Sequence, residues 1–168
     1  MTLLCSLPVV RVARDGPAAL TVLARARHDH ARCPTCRTRS TTVHSRYRRQ
    51  TADLPASGMA IRLQLAVRRF YCRDLVCPRS TFAERFPKLL ARHAQRTRHL
   101  ARAHAKTGLG LGGLPAARLL VHLATPTSAT TLLRMTRELP PLSTPRPCVV
   151  EWALRKGRTY ATIVLDLE

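Results

Sequence analysis

The fold of this 168-residue chain is decided by two short cysteine pairs, Cys33-Pro34-Thr35-Cys36 and Cys72-Arg73-Asp74-Leu75-Val76-Cys77. Cysteines spaced this closely lie on tight turns, and two such turns supply four thiolates to a tetrahedral zinc ion. A redox C-x-x-C site with two unrelated cysteines is the alternative, but no βαβ pattern surrounds the first pair. Four thiolates leave no open coordination position, which predicts a structural zinc ion held by Cys33, Cys36, Cys72 and Cys77.

The sequence between the two pairs predicts an antiparallel β-hairpin. Alternation over residues 42–48 and 61–68 gives each segment one apolar face, and Ala56-Ser57-Gly58 supplies a turn. Antiparallel pairing brings the two cysteine turns to the same end of the hairpin, as a zinc ribbon requires. We expect a basic exposed face on this sheet, formed by Arg46, Arg48, Arg62 and Arg68.

Beyond the second pair the apolar period changes from two residues to nearly four, which indicates helices. We expect a first helix from Lys88 to Lys106 with Gly108 as its C-cap, a short second helix opened by Pro115, and a third with Ser128 as N-cap. This order is the helix-turn-helix plan. The glycine-rich residues 108–113 are expected to be an interhelical loop, because they lack the Gly-Lys-Ser/Thr ending of a phosphate loop.

The predicted fold class is α+β, and four regions are expected. A β-rich zinc-ribbon domain (1–82) is followed by a helix-turn-helix domain (83–139), a proline-rich linker (140–147) and a β-hairpin stub (148–168). The stub carries strand patterns at residues 149–154 and 159–165. An isolated hairpin is marginally stable in water, so we expect the stub to be the first piece of a larger domain.

The chain is strongly basic. It has 29 Lys and Arg residues against 9 Asp and Glu, a formal net charge of +20. A GC-rich gene would enrich arginine but would not explain the shortage of acids. The charge favours a polyanionic partner, of which nucleic acid is the commonest and a membrane surface is the alternative. We find no apolar run of the length that spans a membrane, and we expect a cytoplasmic, nucleoid-associated protein.

Several motifs in chain order, covering about residues 30–168, resemble the bacterial transposases of the ISL-three insertion-sequence type. The matching segments are the two cysteine pairs, His44-Ser45-Arg46-Tyr47, Asp53-Leu54-Pro55, Val67-Arg68-Arg69-Phe70, Phe82-Ala83-Glu84, Arg96-Thr97-Arg98, Gly112-Gly113, Ser128, Thr131-Leu132-Leu133-Arg134 and Trp152-Ala153-Leu154-Arg155-Lys156-Gly157. The resemblance implies a zinc ribbon, a helix-turn-helix that binds transposon ends, and a ribonuclease-H-like domain whose Asp-Asp-Glu set holds two metal ions.

Two departures from the family pattern lead us to expect no catalysis. Val150 stands where the family has its first catalytic Asp, and a valine cannot ligate Mg²⁺. Neighbouring Glu151 would face the opposite side of the strand, and Asp166 has no partner. We also expect the remaining catalytic carboxylates to lie beyond residue 168, so Mg²⁺ is expected only for the full-length family catalytic domain.

The partner implied by the resemblance is double-stranded DNA at the transposon ends, with a homodimer or the full-length transposase as a further partner. We expect Ser128, Thr130 and Arg134 to reach base edges, whereas Arg137, Arg96 and Arg102 contact phosphates. The histidines are expected to be solvated or to face phosphate: His28, His30 and His44.

Two other functions remain open at this point, as does the alternative that the chain is an unfolded remnant with no role. One is a nuclease or strand transferase that uses Glu151, Asp166 and Glu168. The other is a zinc-stabilised regulatory or structural protein that binds RNA or a partner protein.

Overall fold

The computed structural model describes the backbone of residues 7–140, 148–155 and 159–165, and the side chains of residues 7–140. The described elements, in chain order, are β1 (Val9–Arg14), β2 (Ala19–Arg25), β3 (Ala31–Arg32), β4 (Arg39–Ser40), β5 (Val43–Ala56), β6 (Met59–Tyr71), β7 (Thr81–Ala83), α1 (Arg98–Leu111), α2 (Gly113–His122), α3 (Ala129–Arg137), β8 (Cys148–Arg155) and β9 (Thr159–Leu165). The α+β class with a β-rich sheet and three helices agrees with the sequence prediction. Two compact units, Met1–Thr136 and Arg137–Glu168, make up the chain; the bounds of the four predicted regions stay predictions.

The main sheet is built around a long hairpin of β5 and β6. Its strand order is β1-β2-β6-β5, with β7 also paired to β6, and only the β2–β6 pairing is parallel. The expected turn joins the two long strands through Ser57 and Gly58, with φ of 49° and 73°. Left-handed φ at both central residues of a two-residue turn matches the natural twist of a hairpin.

Strand β6 contributes to two different hydrophobic clusters. Alternate residues from Ile61 to Val67 face a cluster that also contains Val22 and Ala24 of β2 and the buried Leu89 and Leu90. Phe70 lies on the opposite face of the strand and packs with Phe82 of β7 and Cys33. The apolar side of β6 therefore changes between Val67 and Phe70, because residues separated by an odd number point to opposite faces.

The helix predicted from Lys88 begins ten residues later than expected. Residues 84–97 form the covering segment, which lies across the sheet and reaches α1 at Arg98. Backbone groups that a helix would use internally bond to β5 instead: Ala52 N–H donates to Gln95 O at 2.9 Å, and Thr97 N–H donates to Ala52 O at 2.9 Å. His93 adopts a φ of 59°, which is incompatible with a right-handed helix.

The glycine-rich residues after Lys106 are not the expected interhelical loop. Helix α1 continues through Gly108 and Gly110 to Leu111, and Gly112, with φ 76°, ends it and directly precedes α2. Gly108 is buried, and a Cβ built there would lie 3.0 Å from Thr136 Cγ2 and 3.2 Å from Leu132 Cβ. The glycine is needed because α3 crosses α1 at this point, so it is a packing residue rather than a C-cap.

Helices α2 and α3 share a small core of Ala116, Leu120 and Leu132. The predicted cap of α3 is present, since Ser128 Oγ accepts a hydrogen bond from Thr131 N–H at 3.2 Å. The connection between the two helices spans residues 123–128, longer than the usual turn of a helix-turn-helix. The order of helices agrees with the prediction, while the helix-turn-helix assignment stays a prediction.

In the second unit, β8 and β9 pair antiparallel, with Val150 opposite Ile163 and Glu151 opposite Thr162. These strands agree with the two predicted strand patterns. The predicted linker after Pro140, the turn at 156–158, Asp166 and Glu168 lie outside the described residues. Among the described residues, no helix is both long and apolar enough to cross a membrane.

Candidate metal centre and nucleic-acid surfaces

The first cysteine pair lies on the turn between the two short strands β3 and β4. Cys33 N–H donates to Thr38 O at 3.0 Å, and Arg37 N–H donates back to Cys33 O at 2.9 Å. Arg37 takes a left-handed φ of 62°, which closes the turn. These local bonds direct the thiols of Cys33 and Cys36 away from the turn and toward the end of the β5–β6 hairpin, where the second pair lies.

The second pair follows directly after β6. Cys72 N–H donates to Ser80 O at 2.8 Å, which continues the ladder beyond the strand. Asp74 organises the four residues between the cysteines: its Oδ1 accepts from Val76 N–H at 3.0 Å and its backbone carbonyl accepts from Cys77 N–H at 3.3 Å. The longer C-x₄-C spacing is thus accommodated by a side-chain-stabilised turn.

The four predicted ligands converge. All four Sγ atoms lie within 4.8 Å of one another, with Cys36 Sγ 3.4 Å from Cys72 Sγ and Cys33 Sγ 3.9 Å from Cys77 Sγ. A tetrahedral zinc ion with Zn–S bonds of about 2.3 Å separates its sulfur ligands by about 3.8 Å. The cluster therefore fits a structural Zn²⁺ ion, as the sequence predicted.

The clustered thiols change one another's acidity. Burial opposes ionisation of Cys33, but hydrogen bonds from the backbone N–H groups of Cys36 and Thr35 outweigh it and lower its pKa to about 6. The backbone N–H of Asp74 favours the Cys72 thiolate, yet desolvation and the neighbouring thiols prevail and raise its pKa to about 12. The neighbouring thiols therefore disfavour the Cys72 thiolate, and a divalent cation bound by the four sulfurs would favour the ionised form of each.

The cysteine cluster rests on an aromatic pair and a shielded ion pair. Phe70 and Phe82 stack with their ring centroids 5.9 Å apart, and Cys33 is 1% exposed against them. Arg68 Nη2 lies 2.6 Å from Glu84 Oε1, and its guanidinium carbon sits 5.1 Å from the Phe70 ring centroid. Arg68 was expected on the exposed basic face; instead it is turned inward and joins β6 to the covering segment.

Comparison with known proteins shows which family the cysteine-bearing segment resembles. Residues 29–77, which include all four cysteines, match the family model described as the zinc-finger of transposase IS204/IS1001/IS1096/IS1165. This segment is therefore similar to the zinc ribbon of ISL-three-type transposases. The resemblance stated from the sequence is therefore confirmed as that of the N-terminal part of such a transposase. No curated protein and no solved structure matches the chain.

Most residues predicted to contact DNA are solvent-exposed. Ser128, Thr130 and Arg134 lie at the start and middle of α3, and Arg137 ends that helix. Arg102 is exposed on α1. Ser128 Oγ is also the helix cap, so any base contact by this hydroxyl would have to coexist with its bond to Thr131. The DNA contacts themselves stay predictions.

Arg96 differs from the other predicted contacts because it faces the helical core. Its Nη1 donates to His104 Nδ1 at 3.0 Å and lies 3.4 Å from Thr127 Oγ1 and 3.5 Å from Met135 Sδ. Desolvation, with the nearby charge of Arg134, lowers its pKa. Arg96 thus connects α1 to α3. We had expected this side chain to face solvent, as a phosphate contact requires.

His104 is buried beneath Arg96 at 2% exposure. Desolvation and the Arg96 charge lower its pKa to about 4, against a weaker opposing effect of the Thr125 backbone. The imidazole is therefore neutral at pH 7, with Nδ1 as the acceptor of the arginine hydrogen bond, because a guanidinium can only donate.

A buried contact between Asp53 and Thr97 was missed by the sequence analysis. Thr97 Oγ1 donates to Asp53 Oδ1 at 2.6 Å and accepts from Leu100 N–H at 3.2 Å, which makes Thr97 the N-cap of α1. The same carboxylate oxygen accepts from Leu54 N–H at 2.9 Å. Both residues belong to motifs that carry the family resemblance. The spacing of neighbouring residues, however, does not indicate that two residues so far apart in sequence are in contact.

The three histidines of interest lie outside the cysteine cluster, which is the metal-ligating group of the described residues. His30 Nδ1 lies 3.1 Å from Asp29 Oδ1 and 3.1 Å from Arg39 Nη2, and its ring centroid is 5.5 Å from that of His28. His44 packs edge-on against Tyr71, with centroids 4.9 Å apart.

Proposed function

We propose that this chain is a DNA-binding part of a transposase that holds the terminal inverted repeats of its transposon. The single observation that carries the proposal is the convergence of four cysteine sulfurs inside a segment matching a transposase zinc finger. Zinc is architectural in this proposal, because four thiolates leave no coordination position for water or substrate.

The charge distribution supports a nucleic-acid partner. The chain carries a net charge of +20, and exposed arginines lie on both α1 and α3. In this arrangement α3 reads bases through Thr130 and Arg134, while Arg102 contributes a phosphate contact that is independent of sequence.

Catalysis is not part of the proposed function. Val150 occupies strand β8 at the place where the family pattern has its first catalytic Asp, and a valine offers no ligand atom for Mg²⁺. Incubation of the protein with Mg²⁺ or Mn²⁺ and an end-containing duplex tests this statement. A nick or a joined product would overturn it.

Fluorescence anisotropy with a labelled inverted-repeat duplex tests the DNA-binding proposal. We expect the zinc-loaded chain to bind the repeat more tightly than a scrambled duplex, with log K falling by about 0.9 per neutralised phosphate as log salt rises. Arg134→Ala should reduce the preference for the repeat, whereas Arg102→Ala should weaken both duplexes alike. Equal affinity for repeat and scrambled duplex at moderate salt would contradict specific end binding.

The second candidate is a zinc-stabilised regulatory or structural protein that binds nucleic acid through its sheet. Arg46 and Arg48 favour it, because both are exposed on β5. Competition between single-stranded RNA and duplex DNA separates the two proposals, since a helix in the major groove requires the duplex. The localisation proposed with either function is the cytoplasm, with nucleoid association following from DNA binding.

A further inference from the structure

A groove of about 780 Å³ opens between the β5–β6–β7 side of the sheet and the covering segment, residues 84–97. One wall is formed by Tyr47, Arg49 and Arg69, and the other by residues of the covering segment. The groove lies within the first compact unit, on the side of the sheet where α1 begins. It shares none of the exposed residues predicted to contact duplex DNA.

The groove is strongly positive. Its lining contains the six arginines Arg49, Arg69, Arg79, Arg85, Arg92 and Arg98. Glu84 is the carboxylate among the lining residues, and its charge is already compensated by the ion pair with Arg68. An excess of this size in a concave surface attracts a polyanion, because neighbouring cations raise the local potential together.

Two of these arginines build the groove and four are available to a ligand. Arg49 Nη2 donates to Ala94 O at 2.6 Å, and Arg98 Nε donates to Pro87 O at 2.8 Å, so both hold the covering segment in place. Within the part of the chain whose side chains are described, the side chains of the other four make no hydrogen bond or ion pair: Arg69, Arg79, Arg85 and Arg92.

The size and the aromatic lining identify the kind of polyanion. A cavity of a few hundred to about 1,000 Å³ accommodates a molecule of drug size, which corresponds to a few nucleotides of a single strand and excludes a duplex. Tyr47 lines the groove and is 45% exposed, so its ring is open to a base. A basic groove beside an exposed aromatic ring is the usual arrangement for binding single strands.

We propose that this groove binds a single-stranded nucleic acid segment, with its phosphates on the free arginines and a base stacked on Tyr47. The inference rests on the proposed nucleic-acid binding, but on a surface that shares only Arg98, the first residue of α1, with the three helices. A protein that holds a duplex end on its helices would then also hold the unpaired strand beside that end.

Fluorescence anisotropy with labelled dT12 and the zinc-loaded full chain tests the proposal. The variant Arg69→Gln/Arg92→Gln removes two free groove charges. At about 0.7 per phosphate contact, the salt slope should fall by about 1.4, which corresponds to about 25-fold weaker binding at 0.1 M salt. Tyr47→Ala should weaken binding by about tenfold and leave the salt slope unchanged, because stacking is not electrostatic.

The matched control is Arg14→Gln/Arg25→Gln, which removes two exposed arginines outside the groove lining. It should bind dT12 with a loss smaller than threefold. Equal loss in the groove and control variants would overturn the proposal, because net charge alone would then explain binding. All four substituted arginines are exposed, and zinc content and melting temperature report whether each variant is folded.

A competing polyanion and a directly bound duplex complete the test. Polyglutamate of similar length should compete poorly; competition equal to that of unlabelled dT12 would overturn the proposal, since it would show a general anion surface. An inverted-repeat duplex should bind the groove variant as tightly as the wild type, and a 25-fold loss there would assign the groove to the duplex interface instead. Absence of preference for the repeat, together with groove-dependent dT12 binding, would refute end recognition while leaving the groove assignment intact.

Discussion

The sheet region and the helical region of this chain are stabilised in different ways. In the sheet, strand β6 contributes to two apolar clusters. The cysteine cluster connects the turns that precede and follow the β5–β6 hairpin. Helices α2 and α3 share a small core of Ala116, Leu120 and Leu132, and α1 buries its own short row of residues from Leu100 to Gly108. Leucines such as Leu114 and Leu119 stay exposed. The sheet is stabilised by contacts between residues distant in sequence and carries a cysteine cluster that fits a metal ion, whereas the helices pack by close approach at a few positions.

Removal of a zinc ligand is expected to change the stability of the sheet region, relative to that of the helices, more than any other substitution. Cys36→Ser, or chelation of the wild type, should destabilise the sheet region by on the order of 10 kcal/mol, because metal binding and folding are coupled. Circular dichroism should show loss of the cooperative melt of the sheet with part of the helical signal retained. An unchanged melt in excess chelator would contradict a structural zinc.

Gly108→Ala tests the close packing of α1 against α3 and leaves the contacts of the sheet unchanged. The added methyl group would meet Leu132 and Thr136, and overpacking of this kind costs about 1–3 kcal/mol. Gly110→Ala is the matched control, since nothing lies within 4 Å of its added Cβ, and it should stabilise the helix by up to about 1 kcal/mol. Urea denaturation compares the two variants; stabilisation by both would refute the close crossing of α1 and α3.

Thr97→Ala removes one of the hydrogen bonds between strand β5 and the start of α1. The substitution deletes the N-cap of α1 and one hydrogen bond to the buried Asp53, with an expected cost of about 1–2 kcal/mol. Thr107→Ala is a suitable control, because that hydroxyl only bonds back to Ala103 O within the same helix. If both threonine variants have equal stability in urea, the contact with Asp53 does not couple sheet and helix.

The smallest effect expected is a pH dependence that is specific to the helical region. The pKa of His104 is about 4 in the folded chain and near 6.5 when unfolded, so the unfolded state binds more protons between these values. Stability should therefore fall as pH decreases, by under about 1 kcal/mol from pH 7 to pH 6. His104→Gln should remove this part of the slope; identical pH profiles for the two proteins would show that His104 is accessible to protons in the fold.

The strands and the metal site were predictable because their signals are local. Alternation at Ile61, Leu63, Leu65 and Val67 defined the buried face of β6, and the spacing of the cysteines defined the ribbon. The two C-terminal strands, β8 and β9, were also predictable from their residue pattern alone.

The wrong predictions concern residues whose contacts with distant parts of the chain override their local conformational preference. The apolar spacing of Leu89, Leu90 and Ala94 suits a helix, but these residues lie on the sheet, and Arg49 bonds to the Ala94 carbonyl. Gly108 looked like a helix end because the crossing of α3 at that residue is not visible in its neighbours. Arg68 looked exposed because its partner, Glu84, is separated from it by the second cysteine turn.

The change of apolar side along β6 limits how this gene can vary in length. One inserted or deleted codon between Val67 and Phe70 would reverse one half of the strand, so either the aliphatic cluster or the aromatic support of the cysteines would face solvent. The same event in the turn at Ser57 would leave both halves correctly oriented relative to each other. Tolerance to such events should therefore differ sharply between two places about ten residues apart in one hairpin.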